Sequence, residues 1–141
     1  VVCASGKEGR LIVQESLARG HQVTAIVRTA SKIADLKPIK VIEKDIMSIT
    51  YEDLKDGDVI IDAFGVFDPE HLYMYKTTLK HLSDILSNKP NRLLVVGGAG
   101  SLFTDKSHKT CPYETEGFPE AYLPISKAAA ESFFELEKRK M

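Results

Sequence analysis

The sequence predicts an α/β protein whose parallel sheet is doubly wound, with helices on both faces. Three observations carry that prediction. Short β-branched runs alternate along the chain with segments of helical periodicity, the pattern of successive βαβ units. Several runs, Leu93 to Val96 among them, are continuously apolar, as strands covered on both faces are. Small or polar residues follow each of five strand ends, where an open parallel sheet leaves its crevice.

The elements follow in order. Val1-Val2 is the stub of a first strand and runs into a small-residue loop. Lys7 to Arg19 reads as a helix with Ile12, Val13, Ser16 and Leu17 on one face and Gly20 as its stop. Gln22 to Val27 is a second strand ending at Arg28. Ser31 to Leu36 is a short helix stopped by Pro38, and Ile39 to Glu43 is a third strand followed by Asp45-Ile46. Tyr51 to Leu54 is a helical turn, and Asp58 to Asp62 a fourth strand leading into Ala63-Phe64-Gly65. Pro69 opens a long helix patterned by Leu72, Leu79, Leu82 and Leu86. Asn91 to Val96 is a fifth strand that runs into Gly97-Gly98-Ala99-Gly100-Ser101. Leu102 to Pro124 has no periodicity and contains three prolines; so long an irregular segment points to a functional or a mobile loop. Ile125 to Met141 closes as a helix with Ala129, Phe133 and Leu136 on one side.

Composition narrows the function. The 141 residues suffice for one domain with a core, and the net charge of −1 leaves no basic footprint for nucleic acid or an anionic membrane. No apolar run reaches the length of a bilayer span. Cys3 and Cys111 are too few for a disulfide framework and read as reduced thiols in a cytoplasmic protein. Val1-Val2 is shorter than a central strand of about five residues, and Met141 ends a helical pattern without a cap. A fragment of a longer protein is therefore expected, truncated at both ends. No cluster with metal-ligand spacing occurs.

The chemistry is concentrated at the opening loop. A strand, a glycine turn and a helix N-terminus make an anion cradle, because the first-turn N–H groups have no partners and the helix dipole is positive there. In a βαβ unit that cradle takes a dinucleotide pyrophosphate. Position 3 departs from the three-glycine pattern with a cysteine. A small buried residue is the reading of Cys3, with a thiolate stabilised by the helix N-terminus as the alternative.

With these residues assembled, the chain resembles the atypical short-chain dehydrogenases/reductases, in particular the flavin/biliverdin-reductase-like and NmrA-like NAD(P)-binding proteins. The matching stretches are Ala4 to Gly9, where the family has Gly-Ala-Thr-Gly-x-x-Gly; Gly20 to Arg28; Lys44-Asp45-Ile46; Asp62 to Gly65; and Arg92 to Ser101. The resemblance implies one Rossmann-like NAD(P)-binding domain over residues 1–141, with strand order 3-2-1-4-5 when Val1-Val2 counts as the first strand. It also implies further substrate-side elements beyond this stretch.

Site roles follow from both sources. Ser5, Gly6, Lys7, Glu8 and Gly9 line the pyrophosphate. Arg28 stands where a carboxylate would bind the ribose 2′-hydroxyl of NAD, and its planar fork suits a 2′-phosphate, with Lys32 assisting. NADP(H) is therefore favoured over NAD(H). As the resemblance implies, Asp45 accepts from the adenine amino group with Ile46 against the ring; a turn-capping aspartate is the alternative. Ala63, Phe64 and Gly65 border the ribose and nicotinamide side; Gly97, Gly98 and Ala99 after the fifth strand are further cofactor-binding candidates. Phe64 serves equally well as core.

Tyr122 and Lys127, the candidate pair after the fifth strand, do not make the family's Tyr-x-x-x-Lys couple. Tyr122 and Lys127 are five apart with Pro124 between them, so the i, i+4 geometry is lost. Ser101, Tyr122 and Lys127 are the catalytic candidates, with a loop tyrosine and a surface lysine as the alternative for the last two. The leading reading is an NADP(H)-dependent reductase passing hydride to a small acceptor: a flavin, a quinone or a carbonyl. A non-catalytic NAD(P)H sensor and a sugar-nucleotide epimerase or dehydratase are its rivals. The oligomeric state is left open by the sequence.

Overall fold

The computed structural model describes residues 1–38 and 40–139. The expectations for Ile39, Lys140 and Met141 fall outside the described residues. The chain divides into two compact units, the first of residues 1–65 and 81–96, the second of residues 66–80 and 97–141.

The first unit begins with Val2, Cys3 and a tight turn into helix α1 (Lys7–Ala18). The predicted stop is a Schellman closure: Gly20 takes φ +81°, its N–H bonds the Leu17 carbonyl at 3.0 Å, and the His21 N–H bonds that of Ser16 at 3.0 Å. Strand β1 (Thr24–Val27) pairs in parallel with β2 (Lys40–Glu43), register Thr24 to Lys40 and Val27 to Glu43. Helix α2 (Tyr51–Leu54) forms where the sequence predicts it. The Thr50 N–H and hydroxyl both donate to the Asp53 carboxylate, which Lys44 also grips at 2.7 and 2.8 Å. Strand β3 (Val59–Asp62) pairs in parallel with β4 (Arg92–Val95).

Several expectations need correction. The described strands form two two-stranded parallel sheets, not one continuous ladder of five. Val2 makes only isolated bridges, to Ile26 and to Asp62. The reason is local: Cys3 turns away at φ +57°, so the opening pair of valines ends before it can extend a ladder. The short helix expected over Ser31 to Leu36 is instead two 3₁₀ turns, Ala30–Lys32 and Ala34–Leu36. The four strands are four residues each: Thr24–Val27, Lys40–Glu43, Val59–Asp62 and Arg92–Val95.

Two apolar clusters hold this unit. Val2, Ile26, Ile46, Ile49, Leu54, Ile60, Leu82 and Leu86 form one, and Ala4, Val13, Val23, Ala25, Val27 and Ile33 the other. Leu82 and Leu86 come from α3 (Met74–Leu86), whose leucine repeat was legible. The N-terminal part of the long helix was not: Pro69–His71 is a 3₁₀ turn, capped by the Asp68 carboxylate accepting the Glu70 N–H.

The second unit relies on short turns. Ala99–Ser101, Pro112–Glu114 and Glu120–Tyr122 are 3₁₀ turns within the otherwise irregular segment. Helix α4 (Leu123–Glu137) starts two residues before the expected Ile125. Pro124 is compatible with that earlier start because the first helical turn needs no N–H donors. Gly100 meets α4 closely: a Cβ there would lie 2.7 Å from the Ser126 carbonyl oxygen. Phe103 stacks on His108 with ring centres 5.0 Å apart and lies 6.1 Å from Phe134.

Candidate functional site: the loop between Val2 and helix α1

Backbone geometry shapes this loop more than side chains do. The Val2 N–H donates to Ile61 at 2.8 Å and the Ala4 N–H to Ile26 at 3.2 Å, which pins the loop's start between β1 and β3. Cys3 then adopts a left-handed conformation that glycine takes without strain. Gly6 is the N-cap of α1 and has no side chain to offer it. Gly9 is the tightest point: a Cβ there would lie 2.3 Å from the Cys3 carbonyl oxygen and 2.8 Å from the Ala4 Cα. Only glycine lets α1 seat so closely on the turn.

These features fit an anionic coenzyme. The N-terminus of a 12-residue helix is left uncapped by any side chain, at a turn that glycines keep narrow. Gly6, Lys7 and Glu8 are exposed there, Ser5 is half-buried and Gly9 is buried.

Around the loop stand three charged groups whose fields reach Cys3. Burial, chiefly, pushes the Cys3 thiol up to about 12; Asp62 and Asp45 add to the rise and Arg28 opposes it. Burial thus works against the thiolate alternative and favours the reading of Cys3 as a small, half-buried thiol. Asp62 is 3% exposed at the end of β3. Burial raises its carboxyl to about 6, against a smaller lowering by the Phe64 N–H, which donates to Oδ1 at 3.0 Å. That bond shapes the Ala63-Phe64-Gly65 turn, where Phe64 is half-buried against the core cluster and Gly65 is exposed.

Arg28 is exposed immediately after β1, and Lys32 is exposed four residues on. Asp45 caps the Ile46–Ser48 turn by accepting the Met47 N–H at 2.9 Å. Ile46 is 6% exposed and belongs to the core cluster. A ring-stacking side chain was expected there; the structure turns it inward. Two residues were not singled out from the sequence as site-formers. Asp62 is a carboxylate closing an apolar strand, a visible anomaly. Glu43 accepts the Ala30 N–H at 2.6 Å, which no local pattern announces.

The remaining candidates lie in the second unit. Gly97, Gly98 and Ala99 are exposed, and the Ser101 hydroxyl donates to the Gly98 carbonyl at 3.2 Å. Tyr122 is 60% exposed at the end of a 3₁₀ turn. Lys127 lies on α4 with its ammonium 3.9 Å from Glu131. Among the described residues, no hydrogen bond joins Tyr122 to Lys127, so the pair forms no proton-transfer couple.

Comparison with known proteins gives the chain's relatives. A family profile described as NAD(P)H-binding matches residues 3–138. The uncharacterized protein YwnB of Bacillus subtilis (strain 168) is 41% identical over 139 residues, which is 98% of this chain and 64% of that protein. A crystal structure from Streptococcus pneumoniae TIGR4, provisionally named an NADH-flavin reductase, superposes with a TM-score of 0.90 at 38% identity, covering 96% of this chain and 63% of that one. A structure from Bacteroides thetaiotaomicron, provisionally named an epimerase, gives a TM-score of 0.78 at 34% identity, covering 99% and 64%. The chain thus spans just under two thirds of the length of these relatives. No helix among the described residues is long and apolar enough to cross a membrane.

Proposed function

The chain belongs to the NAD(P)H-binding family, and from that premise we propose that it is the coenzyme domain of a cytoplasmic reductase that prefers NADPH. The observation that carries the reading is the loop itself: a glycine N-cap without a side chain, and a Gly9 approach that admits no Cβ. We take residues 1–141 as a single Rossmann-like domain with strand order 3-2-1-4-5 and helices on both faces. The bridges from Val2 to Ile26 and Asp62 support that order.

In this reading Ser5, Gly6, Lys7, Glu8 and Gly9 hold the pyrophosphate through backbone amides and the serine hydroxyl. Arg28, with Lys32, holds the 2′-phosphate. Asp45 receives the adenine amino group with the oxygen that does not cap Met47. Ala63, Phe64 and Gly65, and Gly97, Gly98 and Ala99, border the ribose and nicotinamide. Ser101 offers a hydroxyl to the acceptor. The coenzyme supplies hydride when bound; the protein supplies orientation and exclusion of water.

A flavin or quinone acceptor suits a site without a tyrosine–lysine couple, because such acceptors need little proton transfer from the protein. The name of the Streptococcus relative favours a flavin. The same missing couple favours, as a second reading, an NAD(P)H sensor that binds without turnover, and it counts against an epimerase.

Calorimetric titration of NADPH and NADH, followed by NADPH oxidation assays against flavins, quinones and aldehydes, tests the proposal. Binding with turnover is the expected result. Tight binding without turnover on any acceptor would move the reading to the sensor, and tighter NADH than NADPH would remove the role given to Arg28.

A further inference from the structure

A carboxylate is missing at position 28, where a ribose 2′-hydroxyl would call for one, yet one stands beside it. Val27 and Glu43 are register partners in the β1–β2 ladder, and the Lys44 N–H donates to the Val27 carbonyl at 2.9 Å. Arg28 and Glu43 therefore leave the same carboxyl edge of the sheet as neighbours, and both are exposed. Glu43 Oε2 accepts the Ala30 N–H at 2.6 Å, so its carboxylate lies across the turn that Arg28 opens. Among the described residues no ion pair joins Glu43 to Arg28. Further along the turn, Asp35 pairs with Arg10 of α1, which also donates to the Lys32 backbone carbonyl, and Lys32 is exposed.

We propose that Glu43 is a specificity-determining residue for the coenzyme's ribose 2′ position, acting against Arg28. The proposal rests on the coenzyme reading above. A 2′-phosphate carries about 1.5 to 2 negative charges at neutral pH, and it meets the Glu43 carboxylate while Arg28 attracts it. A 2′-hydroxyl is uncharged and donates to a carboxylate, the pairing that acidic residues at strand ends make with NAD. Arg28 confers the NADPH preference; Glu43 limits it. Together they set the ratio of two affinities through one attraction and one repulsion.

The test is calorimetric titration of NADPH and NADH into the unaltered protein and into Glu43→Gln. Glutamine keeps an oxygen acceptor for the Ala30 N–H and removes the charge. The NADPH-over-NADH affinity ratio is expected to rise roughly five- to tenfold, with a smaller gain at high salt. An unchanged or lower ratio in a variant that binds both coenzymes overturns the proposal. Glu43→Ala, which also loses the turn bond, separates structure from charge. If Glu43 only holds the turn, both affinities fall alike in Glu43→Ala and the ratio stays put, which also overturns it. Should the unaltered protein bind neither coenzyme, the coenzyme reading falls and this proposal with it.

Discussion

The two units keep their shapes by different means. In the first, Val2, Val13, Ile33, Ile49 and Leu82 are each at most 1% exposed, packed in two clusters against paired strands. In the second, Phe67 is 80% exposed, and Tyr73 and Leu102 are each 63% exposed. Local polar contacts recur there beside a few buried residues such as Leu79, Cys111 and Ala130: Asp68 on the Glu70 N–H, Glu114 on the Cys111 N–H, and the Thr104 N–H on the Thr110 carbonyl. Burial over-determines the first unit enough to keep Cys3 at a positive φ. A strained residue persists only where its surroundings insist on it.

That contrast can be broken at its strongest point first. Gly9→Ala places a methyl group 2.3 Å from a backbone oxygen that cannot move without the sheet. We expect a loss of about 3 kcal/mol in chemical denaturation, together with loss of coenzyme binding. A variant of ordinary stability would show the loop to be looser than its packing implies.

The next prediction compares the units directly. Leu82→Ala, at 0% exposure, should cost about 3 kcal/mol, whereas Phe133→Ala, at 38% exposure, should cost under about 1 kcal/mol. Equal losses would erase the distinction drawn between the units.

Asp62 sharpens the comparison through pH. Its folded carboxyl is raised from 3.8 to about 6, so the native state holds a proton that the unfolded chain releases. Stability contributed by this group is greatest below pH 3.8, falls as the pH rises through the folded value near 6, and is flat above it. Asp62→Asn keeps the acceptor for the Phe64 N–H and cannot ionise. Denaturation midpoints should show it more stable than the unaltered protein by up to about 3 kcal/mol at pH 8, with the gain vanishing near pH 4. A gain independent of pH would contradict the assignment.

The smallest effect concerns Cys3. Cys3→Gly relieves the φ of +57° and should raise stability by about 1 kcal/mol in the same assay. The thiol, raised to about 12, should also alkylate far more slowly at pH 8 than a free cysteine does. Rapid labelling of Cys3 would mean that the loop opens.

Much of the first unit was legible because its signals are local or periodic. The Gly20 stop, the Tyr51–Leu54 helix and the Leu82, Leu86 pair each depend on residues a few positions apart. Pro124 was misread because proline breaks a helix interior yet suits its first turn, and the sequence does not say which applies. The site was half legible: the glycine loop and Arg28 stand out, whereas Glu43 reaches a donor 13 residues away.

By itself the sequence determined the alternation of strands and helices, the glycine turn ahead of the first helix, and the five-residue spacing of Tyr122 and Lys127 with Pro124 between them. Each is written in neighbouring residues or in a repeat. Only the tertiary structure decided that Ile46 turns inward, that Asp62 is buried beside the loop, and that Glu43 stands opposite Val27 and accepts the Ala30 N–H. Those facts come from strand register and packing, which bring distant residues together and which no short window of sequence contains.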